Sequence, residues 1–293
     1  MLPFRPRPQL SLVVAAYNMA RELPRTIYSL SRDYQRGIGP LRYEIIVVDN
    51  GSSVPVDEAE LKAIAPETRV IRIDDASPSP SSAINAAVRT ARAPLIGLMI
   101  DGARLASPGL LKYALNAHRI DPQGLIGTYG FHLGPDVQMK SVFEGYDQEV
   151  EDELLASVDW RENGYRLFEI SVFAASSAKG WFKPIAESNA VFLPRSLWDQ
   201  LGGLDERFRS PGGGKVNLDF WKRAVEAVGD PWMILGEGTF HQVHGGAATN
   251  QAAPARKQMD DEYTELQGVR FRSPQYRPRL IGQLRAECDQ LNG

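Results

Sequence analysis

LSLVVAA, residues 10–16, is an unbroken run of apolar and small residues with one serine, and its lack of polar alternation decides the fold. A strand with one wet face alternates, whereas a strand covered on both faces reads as a continuous run, the habit of parallel sheets. EIIVV (44–48) and LIGLMI (95–100) repeat the pattern, and RVIRI (69–73) reads as a further strand. Between these runs lie segments with helical spacing: Leu23, Ile27 and Leu30 with Pro24 in the first turn, Leu61 and Ile64, then Ile84, Ala87, Val88 and Ala91. Strand and helix therefore alternate over the first hundred residues, which predicts βαβ units around a parallel sheet. Ser107 followed by Pro108 reads as the cap and first position of the next helix.

Three of the runs end in polar loops: Tyr17-Asn18, Asp49-Asn50-Gly51-Ser52 and Asp101-Gly102-Ala103-Arg104. Open parallel sheets bind ligands beyond the carboxyl ends of their strands, so Asp49 and Asp101 are expected at one site. Past residue 125 the alternation weakens. Residues 147–159 (DQEVEDELLASVD) read as a solvated acidic helix, 179–193 as loop then strand, 217–228 as a helix ending at Gly229, and 232–244 as a strand. Five arginines (Arg270, Arg272, Arg277, Arg279, Arg285), with no acid between Leu266 and Arg285, read as a solvated tail or a contact for phosphate.

Composition excludes several classes. The chain of 293 residues carries 33 basic and 36 acidic side chains, a net charge of −3, which gives no overall field for gripping nucleic acid. Cys288 is alone, so no internal disulfide forms, no zinc-finger spacing exists, and a reducing cytoplasm is the expected compartment. The longest apolar run, Pro94 to Ile100, falls far short of the roughly 20 residues that span a bilayer. The expectation is a soluble protein, or one lying peripherally at the inner face of a membrane.

VVAAYN (13–18), EIIVVDNGSS (44–53), LIGLMIDGA (95–103), SNAVFLPRSLWDQLGGLDERF (188–208) and TFHQVHGG (239–246) resemble, in this order, the segments of family 2 glycosyltransferases with the GT-A fold. The resemblance covers about residues 8–250. It implies an α/β fold with a Rossmann-like, mostly parallel sheet flanked by helices and a mixed acceptor-side half. On that reading residues 1–250 form one domain, with a nucleotide half at about 8–125 and an acceptor half at about 126–250, and 251–293 are a polar, arginine-rich extension. The implied activity is inverting transfer of a sugar from a nucleotide diphosphate donor, UDP by default, to a glycan or lipid-linked acceptor in surface polysaccharide synthesis, assisted by Mn²⁺ or Mg²⁺.

Residue by residue, the resemblance places Ala16, Tyr17, Asn18, Asp49 and Asp101 against the nucleotide. Asp49, in a turn that leaves it uncovered, would accept hydrogen bonds from base or ribose, or else cap its own turn. Asp101 matches the first acid of the family's Asp-x-Asp, but Ala103 stands where the second belongs. A metal bridging the diphosphate would then draw its remaining ligands from His241 or His244, whose three-residue spacing on a strand puts the rings on opposite faces. Arg104 neutralises phosphate or is an ordinary surface arginine. The acceptor's base falls to Asp219, which a helix dipole would make a weaker base, or to Glu187, because Asn217 occupies the position of the usual acid. The serines of 77–82 and the rings of Trp181 and Trp198 carry no assigned role. Two other classes stay open: a non-catalytic module of this fold, for which Ala103 and Asn217 speak, and a sugar-phosphate nucleotidyltransferase, which would need a glycine-rich phosphate loop absent after the first strand. No G-x-G-x-x-G follows that strand either.

Overall fold

The computed structural model describes residues 7–245 and 253–291. Within them, ten strands form one sheet: β1 (Leu10–Ala16), β2 (Tyr43–Asp49), β3 (Thr68–Arg72), β4 (Leu95–Met99), β5 (Arg104–Ala106), β6 (Ile126–Leu133), β7 (Ser171–Phe173), β8 (Ala190–Pro194), β9 (Trp232–His241) and β10 (Arg279–Gly282). The main order is β10-β9-β6-β8-β4-β1-β2-β3, with β5 on β9 and β7 on β6. β3, β2, β1 and β4 are mutually parallel, as expected, while β8 runs antiparallel between β4 and β6. The mixed half predicted beyond residue 125 is this region.

The helices are α1 (Leu23–Leu30), α2 (Glu58–Ile64), α3 (Ser81–Thr90), α4 (Leu110–Ile120), α5 (Gln138–Ser141), α6 (Gln148–Ala156), α7 (Arg195–Leu201), α8 (Val216–Val228) and α9 (Ala253–Gln267). Alternate residues of each central strand feed two cores. Val13, Ala15, Ile46, Val48, Ile96 and Leu98 face the layer that holds α3, α7 and α8, while Leu12, Val14, Ile45, Val47 and Met99 face α1, α2 and α4. That is why β1, β2 and β4 show no polar alternation: both faces are dry. Gly97 is required in β4, since a Cβ there would lie 2.6 Å from Leu12 Cδ2 and 2.8 Å from Phe192 Cε1.

Three local expectations give way. Ser107 does not cap α4, which begins at Leu110 after Gly109; its hydroxyl instead accepts the Gly238 N–H at 2.9 Å, because the chain first makes β5 against β9. Residues 148–156 are helical, but α6 is no solvated rod. Glu151 is fully buried, accepts the Val243 N–H at 2.6 Å and meets Arg21 at 3.3 Å, so α6 is bolted onto the end of β9. The C-terminal arginines are not all solvated either. Arg285 is half-buried, 3.9 Å from the Tyr165 ring centre; Arg279, in β10, is exposed but pairs with Asp121 at 2.7 Å and lies 4.1 Å from the Trp232 ring centre, and Arg270, Arg272 and Arg277 are exposed. Trp181 and Trp198 are both buried. Among the described residues no helix is long and apolar enough to cross a membrane.

Candidate active site

The carboxyl ends of β1, β2 and β4 form one rim. Ala16, buried at the end of β1, is level with Asp49 at the end of β2, and its carbonyl accepts the Asn50 N–H at 2.9 Å. Asn18 takes the left-handed backbone (φ 52°), where a short polar side chain is tolerated. Its N–H donates to Ser52 Oγ at 2.9 Å and its Oδ1 accepts the Ser53 N–H at 2.8 Å, which staples the two loops. Tyr17 between them is 56% exposed and presents its ring to solvent.

Asp49 is not uncovered. Its carboxylate accepts from Ser52 N–H (2.9 Å), Val56 N–H (3.2 Å) and Arg72 Nη1 (2.7 Å) and is buried. Burial alone would raise its pKa, but these donors hold it below the ordinary value. Its visible work is to close the turn that carries the rim.

Across β1, Asp101 follows β4. Gly102 makes its placement possible, for a Cβ there would sit 2.7 Å from the Ala15 carbonyl oxygen. Oδ1 accepts the Ala103 N–H at 2.9 Å, and Oδ2 lies 3.0 Å from His241 Nε2 and 3.5 Å from His244 Nε2, with the two Nε2 atoms 3.3 Å apart. The expectation that one histidine faces away fails because β9 stops at His241; residues 242–244 leave the strand geometry and bring the second ring back. Gly246, the last residue of the segment quoted above, lies outside the described residues.

The donor set of these three side chains, two imidazoles and one carboxylate, fits a transition-metal dication such as Mn²⁺ better than the harder Mg²⁺. Gln138 of α5 accepts from His241 Nδ1 through Oε1, while its Nε2 donates to the His241 carbonyl at 2.9 Å. With Nδ1 carrying the proton, the lone pair on His241 Nε2 points at the Asp101 carboxylate. Two acceptors 3.0 Å apart need a cation or a proton between them. Separations of 3.0 to 3.5 Å also match neighbouring ligands around an ion held at about 2.1 Å. Burial, then the Arg104 charge, lowers His241 to about pH 4 against the pull of Asp101, keeping it neutral and able to ligate. Burial would raise Asp101, but the two histidines hold it well below the usual carboxylate range.

Arg104, expected at the surface, is 7% exposed. Its Nε stands 4.0 Å from Asp101 Oδ2, and burial lowers its pKa against the pull of the Asp101 and Glu187 carboxylates. His132 on β6, not singled out from the sequence, lies level with His241 and accepts the Gln138 N–H on Nδ1 at 2.7 Å, fixing α5. Neither it nor Gln138 has a local sequence signature; only the pairing of β6 with β9 brings them in.

The two candidate bases are held differently. Asp219, in the first turn of α8, is buried and pairs with Arg223 at 2.7 Å, and Arg223 in turn donates to the carbonyls of Leu201 (2.9 Å) and Gly203 (3.0 Å). This ties α8 to the turn after α7. Glu187 is half-buried and accepts from Asn217 Nδ2 at 2.8 Å; Asn217 also reaches Asn189 Oδ1 at 3.4 Å, and the Asn189 carbonyl accepts the Ile100 N–H at 3.4 Å. That chain of contacts ends one residue before Asp101.

With this geometry, comparison with known proteins is specific. The family described as glycosyl transferase family 2 matches residues 11–170. Validoxylamine A glucosyltransferase of Streptomyces hygroscopicus subsp. limoneus is 26% identical over 247 residues, 78% of this chain and 50% of that protein. Its counterpart in Streptomyces hygroscopicus subsp. jinggangensis (strain 5008) is also 26% identical, over 78% of this chain and 54% of its own length. The chain thus spans about half the length of these relatives. Among solved structures, S. aureus TarS 1-349 is 12% identical with a TM-score of 0.49, covering 87% of this chain and 65% of that one. Its complex with UDP-GlcNAc gives the same identity and TM-score.

Proposed function

The chain belongs to glycosyl transferase family 2, and from that premise we propose that it moves a sugar from a nucleoside diphosphate to an acceptor hydroxyl with inversion. The observation that carries the reading is the convergence of Asp101, His241 and His244 at the rim, with Glu187 linked through Asn217 and Asn189 to Ile100, the residue before Asp101.

Tyr17 offers the base a face, and Ala16 and Asn18 set the height of that face through their hydrogen bonds to the β2 turn. Asp49 acts on the nucleotide by shaping this turn. Asp101, His241 and His244 would hold Mn²⁺ or Mg²⁺, with the imidazoles favouring Mn²⁺. The bound ion would supply Lewis-acid stabilisation of the charge growing on the diphosphate. In the transfer, the acceptor oxygen forms the new bond to the anomeric carbon as the bond to the diphosphate oxygen breaks. The electron pair leaves on the diphosphate, and the acceptor's proton passes to the Glu187 carboxylate. One displacement inverts the centre.

Glu187 is the better base because Asp219 is already neutralised by Arg223. Asn217, where an acid would be usual, donates to Glu187 and orients it instead. Both curated relatives are named glucosyltransferases, so UDP-glucose is the first donor to offer. A glycan or lipid-linked acceptor in surface polysaccharide synthesis, with the enzyme in the cytoplasm at the inner face of the membrane, completes the reading.

Calorimetric titration of UDP, GDP and dTDP, with Mn²⁺ and with EDTA, tests it on wild type and Asp101→Ala. One nucleotide should bind in a metal-dependent manner, and the substitution should remove most of that dependence. Binding of none, or equal binding with and without metal, counts against the reading. In a turnover assay, released nucleoside diphosphate supports transfer, whereas released pyrophosphate would indicate nucleotidyl transfer.

A further inference from the structure

Arg104 has a position that the reaction outlined above does not use. It opens β5 and is the register partner of His241 on β9, which is itself the partner of His132 on β6. Register partners in a sheet point to the same face, so arginine and histidines stand in one row beside Asp101. The guanidinium is buried, yet its Nε and Nη1 have no hydrogen-bond partner. Asp101, 4.0 Å away, is beyond hydrogen-bond reach of Nε, and its Oδ2 faces the two histidine rings at 3.0 and 3.5 Å.

A buried arginine with unused donors is costly to a fold that gains nothing from it. Arginine stays charged under ordinary conditions, and a buried charge without full compensation costs several kcal/mol. Such a group persists where a ligand completes it, and the planar guanidinium, with its N–H donors spread around its rim, suits the several oxygens of a diphosphate. The charge arithmetic points the same way. With Ala103 in place of a second acid, Asp101 alone opposes a divalent ion, and Arg104 adds one more positive charge. With the Glu187 carboxylate also acting on Arg104, the balance stays positive, which suits a departing diphosphate.

We infer that Arg104 is a catalytic residue whose Nε and Nη1 donate to the oxygens of the donor's diphosphate, taking part of the charge that leaves with it. The assignment rests on the glycosyl-transfer reading and deepens it: the leaving group is gripped from the protein as well as through a metal. It also makes a prediction about the empty-handed protein, because a charge that waits for a ligand weakens the fold until the ligand arrives.

Inorganic pyrophosphate is the probe, since it carries no base or sugar. Calorimetry in EDTA and in Mn²⁺ compares wild type with Arg104→Met and Arg104→Lys, and thermal melts are recorded without ligand. Arg104→Met should bind pyrophosphate about 10- to 100-fold more weakly than wild type in both media, while melting at the same temperature or higher. Arg104→Lys, which keeps the charge and loses the spread of donors, should fall between them. Unchanged pyrophosphate affinity in Arg104→Met overturns the inference, and so does a lower melting temperature, the mark of a structural arginine. The nucleotide panel on wild type keeps the two readings apart: if a nucleoside diphosphate binds with Mn²⁺ equally well to wild type and Arg104→Met, only the role of Arg104 fails.

Discussion

Gln138 and His241 hold each other twice, the amide oxygen facing ring Nδ1 and the amide nitrogen donating to the His241 carbonyl at 2.9 Å. Ring orientation and tautomer are thereby set from outside the ligand cluster. Gln138→Leu keeps the volume and removes both contacts. Loss of such an outer contact costs about 10- to 100-fold in metal affinity, so the Mn²⁺ dissociation constant should rise by that factor. Titration of the ion alone, monitored calorimetrically, measures it; an unchanged constant would show that the ring needs no such support.

Glu187 and Asp219 should separate cleanly. Glu187→Gln should lower the transfer rate about 10²- to 10⁴-fold with nucleotide affinity intact. Asp219→Asn leaves Arg223 without its carboxylate and should cost on the order of 1 to 3 kcal/mol of stability in urea melts, with transfer retained. The reverse pattern would give the base role to Asp219.

Tyr17 is exposed enough that its loss should not affect folding. Tyr17→Ala should weaken nucleoside diphosphate binding by about tenfold, the order of one aromatic stacking contact, while Tyr17→Phe should bind like wild type. Equal affinities for all three proteins would remove the ring from the nucleotide site.

Where environment is set by near neighbours in sequence, the chain could be read directly. β1, β2 and β4 were legible because two dry faces leave an unbroken apolar run, and Asp101 because it follows such a run. β5 was not legible, since Arg-Leu-Ala is a strand only through its pairing with His241, Phe240 and Thr239. Glu151 looked like a solvent-facing acid because its burial depends on Arg21 and Val243, both far along the chain. The histidine pair was placed on opposite faces by carrying strand geometry three residues beyond its end. The burial of Arg104 follows from the same unseen pairing.

Glu237 provides a pH test remote from the cluster. It is buried on β9, accepts the Gly109 N–H at 2.9 Å and the Tyr165 hydroxyl at 2.8 Å, and burial pushes it up to about 7. A raised folded pKa means that the folded protein takes the proton first. The stabilisation is complete below the unfolded value and is lost as pH rises from about 4.5 through 7. Wild-type stability should therefore fall over this window relative to Glu237→Gln, by up to about 3 kcal/mol. Urea melts at pH 5 and pH 8 measure the difference; parallel pH profiles for the two proteins would contradict it.

The reversal at β8 has a consequence for how this architecture can diversify. Because β8 starts opposite Met99, where β4 finishes, the connection entering it arrives at the rim that carries Asp101; a parallel strand of the same length would deliver it about 13 Å away, at the far edge. Residues 174–189 therefore enter at the rim, held to the core by Trp181 and Ile185, and it is their exposed positions, such as Lys179, Phe182 and Lys183, that can vary while the neighbouring parallel strands stay untouched. On the proposed reading, a sheet built this way lets acceptor choice drift through those positions without altering the strands that would carry the donor.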